Sequence, residues 1–561
     1  MRKRLFLPFL VAATALVFTS CGKLKPLAGD YIKAEPQPLE AIGGEVPVII
    51  NATFPAKWFN KKAIVTVTPV LRYEGGEVWG TPYTYQGEKI SGNALVIPQA
   101  TGANVTLKSA FPYKDALKKS ELFLSFDAQL KGKSVQLPEI KIGDGVLATS
   151  EWASVVTTKP AIAPDKFQRI IKEAHSANIL FLIQQAELRS KELSKQEVAD
   201  WKALVKSAHN APNQNVAVEI SAYASPDGGV ELNTGLAEKR ESNTEKFLTN
   251  EFKKEKVKAP IDAHYTAQDW EGFQELVSKS DIQDKELVLR VLSMYSDPEK
   301  REQEIKNISV TFKVLAEEIL PQLRRSRLTA NIEIIGKSDE EISEQFKTNP
   351  SELSLEEILY AATLTNITSE KEAIYKKTAE FFPSDHRAWN NIGVTRFLSG
   401  DLIGAEQLFI KANSVKVSPE ANLNLALIAL SKGDKVKAQQ LLGNASGVPE
   451  LSEALGLLYL KQGEYIKAVN SFGSIKSDNA ALAQILTKDY SKAQQTLNAV
   501  EHPTAITDYL KAVVAARTNN SAGVFSNLKA AFSKKGSLKA DAAKDLEFAK
   551  YSTNNDFKAL F

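Results

Sequence analysis

Residues able to carry chemistry are sparse and scattered along these 561 positions. His175, His209, His264, His386 and His502 are the only histidines, and no two are close enough to make a metal-binding pair on a helix or in a finger. Cys21 is the only cysteine, so no second thiol exists for a metal or an intrachain disulfide. There is no Gly-rich phosphate loop and no Gly-x-Ser-x-Gly elbow; Gly228-Gly229 reads as a turn after a strand. Glu317-Glu318 and Asp339-Glu340-Glu341 are adjacent in sequence and read as solvated surface rather than as acid and base. A Ser–His–Asp set would have to be assembled by the tertiary fold. The expectation is a protein that is not an enzyme, with no metal and no cofactor.

The lone thiol has a telling place. Met1-Arg2-Lys3-Arg4 is basic, Leu5 to Phe18 is mostly apolar, and Thr19-Ser20 is small. This predicts a signal peptide over 1–20, too short to span a bilayer of about 30 Å comfortably. A single thiol kept at the predicted cleavage site is suited to acylation. The stretch Leu16-Val17-Phe18-Thr19-Ser20-Cys21 resembles a bacterial lipobox, with Phe18 where Leu is usual. The resemblance implies lipidation of Cys21, a membrane anchor of several acyl chains, and a linker over 21–35. Gly22-Lys23-Leu24-Lys25 lacks the acidic cluster that marks surface display in Bacteroidota-like lipoproteins, which points to an outer-membrane protein facing the periplasm. Without Arg2, Lys3 and Arg4, 67 basic residues face 67 acidic ones, so nothing argues for nucleic acid or a polybasic lipid patch.

Three regions follow, each with its own period. Over 36–158 it is two: Leu122, Leu124, Phe126 and Ala128 form one face, Ala63 to Val70 is rich in β-branched residues, and turns recur at Gly75-Gly76, Gln86-Gly87 and Gly143-Asp144-Gly145. This predicts an antiparallel β-sandwich of immunoglobulin-like kind, acting as a partner-binding module or a spacer. Over 165–340 strands and helices alternate in an α+β pattern. Strands are expected at 179–183, 216–222, 261–265 and 328–335, and helices around Trp201 and over Leu232 to Leu248. An inserted helical stretch, 268–322, carries Ile305, Ile308, Phe312, Leu315 and Ile319 as one stripe.

From 352 to 561 the chain reads as all-α and repetitive. Ala373, Ala405, Ala438 and Ala468 recur at spacings of 32, 33 and 30, among Trp389, Gly393 and Phe409 in one unit and Gly456, Tyr459 and Phe472 in another. The pattern resembles the tetratricopeptide repeat, whose small residues let two antiparallel helices pack closely. Later units around Ala493 and Ala522 are degenerate. Stacking must provide the core, since no unit buries its apolar face alone. The resemblance implies a solenoid with a C-terminal cap, holding a protein partner.

One motif in the central region points to a ligand. Val218 to Gly229, followed by Asn233, Leu236, Glu238 and Arg240, resembles the C-terminal domain of the outer-membrane protein A family, and Arg324-Arg325-Ser326-Arg327 resembles the start of its last strand. Those domains bind peptidoglycan. The resemblance implies that an Asp at the strand end takes the amine of diaminopimelate while an Arg on the next helix takes its carboxylate through a planar fork. Arg240 matches the Arg position and Asn233 the polar helix-start position. Ser225 stands at the Asp position, with Asp227 two residues on behind Pro226. A missing carboxylate removes a charge-assisted hydrogen bond of roughly 1.5–3 kcal/mol, so the implied contact is weakened or lost.

The whole layout resembles a class of Bacteroidota envelope lipoproteins. Two functions are therefore expected: a lipid-anchored scaffold contacting peptidoglycan and a protein partner, or an assembly scaffold for surface, fimbrial or secretion proteins without wall binding.

Overall fold

The computed structural model describes residues 24–561, the side chains of 309–311 excepted. The chain divides into two compact units, one of residues up to 164 together with 365–561, the other of residues 165–364.

The first unit begins with β1 (Ile32–Glu35), β2 (Leu39–Glu40), β3 (Glu45–Phe54), β4 (Ala63–Tyr73), β5 (Gly76–Trp79), β6 (Tyr83–Gly87), β7 (Leu95–Ile97), β8 (Ala103–Pro112), β9 (Ser120–Leu130), β10 (Lys133–Gln136), β11 (Ile140–Asp144) and β12 (Val146–Leu147). One sheet has the order β1-β3-β8; the larger runs β10-β9-β4-β6-β7, with β11 added to β9 and β5 to β4. Alternation decides which side chains go inside: Val46, Val48 and Ile50 of β3 join Val65 and Val67 of β4 and Leu122 and Leu124 of β9 in one core. The last strand ends at Leu147, ten or so residues before the end of the expected sandwich.

The second unit is built on a four-stranded sheet of order β13-β16-β14-β15, from β13 (Ile170–Leu180), β14 (Gln214–Tyr223), β15 (Ile261–Thr266) and β16 (Arg325–Ile335). β14 pairs with β15 in parallel and with β16 antiparallel. After the single turn α1 (Ser190–Leu193), α2 (Gln196–Asn210) and α3 (Val230–Glu255) cover one face, where Val198, Trp201, Val205 and Leu248 meet Ile179, Val218, Ile220 and Leu328. The strand expected at 179–183 corresponds to the end of a longer one. β13 starts at Ile170 and stops at Leu180, and Leu182 and Ile183 are exposed beyond it because the chain turns away from the sheet there.

Between β15 and β16 lie α4 (Trp270–Lys279), α5 (Lys285–Met294), α6 (Pro298–Asn307), α7 (Ser309–Val314), a π-helical turn (Leu315–Ile319) and α8 (Leu320–Leu323). The single stripe expected over 305–319 is broken at Ile308 and unwound at 315–319. Its residues still share one core, with Phe273, Val277, Leu292, Ile305, Leu315 and Leu323. α9 (Asp339–Thr348) and α10 (Leu355–Ala361) complete this unit, so the helix that opens the expected repeat region packs here.

The first unit resumes with α11 (Thr368–Phe381) and then antiparallel hairpins: α12 (His386–Leu398) with α13 (Leu402–Val415), α14 (Pro419–Ser431) with α15 (Lys435–Gly443), α16 (Leu451–Gln462) with α17 (Tyr465–Phe472), α18 (Asp478–Leu486) with α19 (Tyr490–Asn498), and α20 (Ala505–Arg517) with α21 (Ser521–Lys534). α22 (Leu538–Ala542) and α23 (Asn555–Lys558) close the end. Each of these five turns places one residue at positive φ (Gly400, Gly433, Gly463, Lys488 or Asn519) just before the second helix. Asp401, Asp434, Asp489 and Asn520 then cap that helix by accepting a backbone N–H from its first turn. This array is consistent with a tetratricopeptide-type solenoid.

The repeat residues have distinct jobs. Ala405, Ala438 and Ala468 are fully buried. Gly393 and Gly456 allow close approach: a Cβ on either would lie 2.6–2.7 Å from the ring of Phe409 or Phe472. Trp389 and Tyr459 are half-buried, the Trp389 indole donating to the Pro383 carbonyl at 3.0 Å. Ala373 departs from expectation. It is exposed on α11, where Ile374 and Tyr375 make the contact instead, and Ala522 is exposed as well.

Candidate functional site

Two places in the described residues bring polar groups together with purpose. In the second unit, the loop after β14 and the start of α3 enclose a small cavity of about 80 Å³ lined by Ile183, Ser225, Asp227, Asn233, Leu236, Arg240 and Arg324, among others. All four residues singled out for the wall contact are here, in roles the sequence did not reveal. Asn233 is a clasp: its Nδ2 donates to the carbonyls of Ser225 (2.9 Å) and Gly228 (2.7 Å), fixing the loop shape. Ser225 donates to Asp227, and Arg324 donates to Ser225 Oγ (3.2 Å) and Asp227 Oδ2 (3.1 Å).

Arg240 is not the free fork that the resemblance implies, nor a solvated helix residue. It is 1% exposed and lies over the Phe181 ring. It donates to the carbonyls of Gln185 (2.9 Å), Tyr223 (2.8 Å) and Leu182 (3.3 Å). Burial, with Arg324 adding repulsion, pulls its pKa down to about 10, still charged at neutral pH. Two arginines therefore face one aspartate, and that aspartate is already paired.

The helical insertion braces this loop. Asp269 caps α4 through the Gly272 N–H (2.8 Å) and pairs with Arg325 at 2.8 Å, both side chains buried. Burial raises the Asp269 pKa, against the pull of Arg325. Gln268 and Lys306 donate to the carbonyls of Gly228 and Asp227.

The exposed sheet face holds a Ser–His–Glu group that no local motif signalled. Ser221 Oγ lies 3.0 Å from His264 Nε2 and 3.1 Å from Glu219 Oε1, and Glu219 is 3.4 Å from the same Nε2. Hydroxyl and carboxylate meet one ring nitrogen, whereas a triad needs the acid on the other nitrogen to orient the ring. Register alone produces the cluster, since Ser221 pairs with His264 across β14 and β15. Among the described residues, no group of three or more His, Cys, Asp or Glu is placed to hold a metal ion.

The second place lies in the first unit, along the helical array. A strap, Ala153 to Pro164, runs across the first helices of successive hairpins. Asn479 on α18 takes both the N–H (2.9 Å) and the C=O (2.7 Å) of Ser154. The Lys159 N–H bonds to Glu453 on α16, whose pKa burial raises. Asn424 on α14 takes the N–H and C=O of Ala161 at 2.7 and 2.8 Å, and Asn391 on α12 does the same for Ala163 at 2.9 Å each. Asn390 adds a second bond to the Ala161 carbonyl and one to Asn424, and Arg387 donates to the Pro164 carbonyl.

Asn390, Asn424, Glu453 and Asn479 each precede by three the residue that faces the hairpin partner, as Asn390 precedes Gly393 and Glu453 precedes Gly456. They form a ladder on one side of the array. Trp152 packs on Tyr509 at 4.6 Å, and Lys461 donates to the Ala153 carbonyl, anchoring the strap's start. The side of the repeats formed by α12, α14, α16 and α18, a region expected to hold a protein partner, is thus occupied by the chain itself. The asparagines were visible in sequence, but only as polar interruptions of apolar helices.

Cys21 and the expected signal peptide lie outside the described residues. No helix among those described is long and apolar enough to cross a membrane.

No family model and no curated protein matches this chain. Among solved structures it is similar to a tetratricopeptide repeat protein from Parabacteroides merdae, with 13% identity over 37% of this chain and 91% of that one and a TM-score of 0.29. It is also similar to pilF of Pseudomonas aeruginosa (16% identity, 39% and 100% covered, TM-score 0.27) and to yeast Tom70 (11%, 58% and 77%, 0.25). At these values the likeness assigns no partner.

Proposed function

We propose that this chain is an envelope lipoprotein, held to the outer membrane through acylated Cys21 on the periplasmic side, and that it works as a scaffold without catalysis. Its helical array holds polypeptide, and its second unit meets peptidoglycan weakly. The observation that carries the scaffold reading is the asparagine ladder. Carboxamides that take the N–H and C=O of one residue read backbone as a neighbouring strand would, which is a way of holding chain rather than of transforming a substrate. The Ser221 cluster lacks the orienting acid, which supports a role other than hydrolysis.

For the wall, the cavity beside Arg240 and Arg324 carries one net positive charge and suits a small carboxylate. Anchoring raises the effective concentration of such a weak contact, so an affinity on the order of millimolar is enough. A specific observation favours a second reading, an assembly scaffold with no wall contact: Arg324 already fills the place at Asp227 that a ligand amine would take.

The test is sedimentation of the full chain with purified sacculi, with free diaminopimelate as competitor. Leu236→Glu at the cavity is the variant of choice, because Arg240 holds the fold. The wall reading expects wild type to sediment, the variant to stay behind and the competitor to release wild type. Failure of both proteins to sediment selects the second reading, and equal sedimentation of both moves the wall contact away from this cavity. In cell fractionation, Cys21→Ser is expected to leave the membrane fraction, and its retention there would remove the anchor from the account.

A further inference from the structure

We infer that the ladder groove is a binding site for an extended polypeptide segment, and that the strap 153–164 is an exchangeable occupant that keeps it closed. The inference rests on the reading of the array as a holder of polypeptide and adds what it holds, and how the site is guarded.

Three features carry it. First, recognition falls mainly on backbone. Asn479, Asn424 and Asn391 each satisfy the N–H and C=O of one strap residue, the inward side chains at Ala161 and Ala163 are single methyl groups, and Val155 and the Thr157 and Thr158 hydroxyls add larger or polar side-chain contacts. Any segment with small residues at those places makes the same bonds, and a basic residue at the place of Lys159 also suits the Glu453 carboxylate. Second, the ladder stays satisfied when the strap leaves. Asn390, Asn424 and Asn479 are at most 1% exposed beneath it, so its departure opens them to water, which takes the place of its backbone as their partner. The strap therefore opens by itself, and a competing segment then takes its place strand for strand. Third, nothing among the described residues covers its outer side: Val156 is 66% and Ile162 42% exposed. A competitor can peel it from outside without opening the hairpins beneath.

Because the strap is tethered, a competitor faces an effective concentration on the order of millimolar. Binding to the closed form is thus expected to be weaker by roughly a hundredfold than to a form whose strap has been expelled.

Ala161→Asp in the full chain places a charge at a fully buried position and expels the strap while leaving the ladder intact. The probe is a fluorescein-labelled peptide of residues 153–164, read by anisotropy. The variant is expected to bind roughly a hundredfold tighter than wild type, and adding Asn424→Leu should abolish that binding. A variant that keeps its helical circular dichroism yet binds no tighter than wild type refutes the inference.

Hydrogen exchange on the unmodified chain decides independently, should Ala161→Asp fail to fold. The amides of Ser154, Lys159, Ala161 and Ala163 are expected to exchange through an opening that leaves α12 to α18 protected. If they exchange only together with those helices, the strap is a permanent part of the core and the inference falls. A client crosslinked to the outer helices α13 or α15, with the strap still protected, would leave the scaffold reading standing and this one refuted.

Discussion

Asn424 closes both backbone hydrogen bonds of a single residue, Ala161, at 2.7 and 2.8 Å, across 263 positions of sequence. That relationship fastens the segment leaving the sheet-rich N-terminal region onto the helical array. Asn424→Ala strands a buried N–H and loosens the carbonyl that Asn390 also serves. The expected loss is about 2–4 kcal/mol of stability, read as a lower denaturant midpoint, with extra hydrogen exchange at Ala161 and Ala163. A loss confined to a few tenths would mean that water takes over the bonds at no cost.

Gly393 and Phe409 form a matched pair, as do Gly456 and Phe472. Gly393→Ala drives a methyl group into the Phe409 ring and is expected to destabilise by about 1–3 kcal/mol. By spacing, the next hairpin uses Leu427 and Leu442 at these places, both buried. The double variant Gly393→Leu, Phe409→Leu is therefore expected to recover most of what Gly393→Leu alone loses. Thermal unfolding of the three proteins checks this, and additive losses would contradict it.

Arg240 should behave as a structural residue. Arg240→Ala removes three donors from the carbonyls of Gln185, Tyr223 and Leu182 and opens a cavity beside Phe181, at an expected cost of about 3–5 kcal/mol. Arg240→Lys cannot reach three carbonyls with one ammonium and should recover only part of that loss. Near-wild-type stability of Arg240→Ala, in urea unfolding followed at the second unit, would return this side chain to the role of a ligand fork.

Asp545 makes stability depend on pH. Burial pushes its pKa up to about 6, although the Tyr509 hydroxyl and the Glu547 N–H bond to it. The folded state therefore holds this proton more tightly than the unfolded chain, whose aspartates titrate near about 4. The stability this group contributes is full below that value and is lost as pH rises through about 6. Asp545→Asn removes the titration, so the difference in Tm between variant and wild type should grow in the variant's favour from pH 4 to pH 7. A difference that stays constant with pH would exclude Asp545 as the source.

What was legible without coordinates was local. Alternation in Leu122 to Ala128 marked a strand, and Gly393 and Ala405 marked the close faces of a helical hairpin, because one face of an element against one core leaves a periodic trace. The fate of polar residues inside apolar helices was not legible. Asn390, Asn424 and Asn479 look like interruptions until the strap lies across them.

The same distinction separates the two candidate sites. The resemblance to the outer-membrane protein A family singled out Ser225, Asp227, Asn233 and Arg240, on a strand, loop and helix that are contiguous in sequence. It took the return of β16, about a hundred residues later, to bring Arg324 onto Asp227 and neutralise it. Hydrogen-bond partners and charges that meet across long separations leave no period in a sequence. Their energy depends on distances of a few ångströms and on exclusion of water, and only the folded chain sets those.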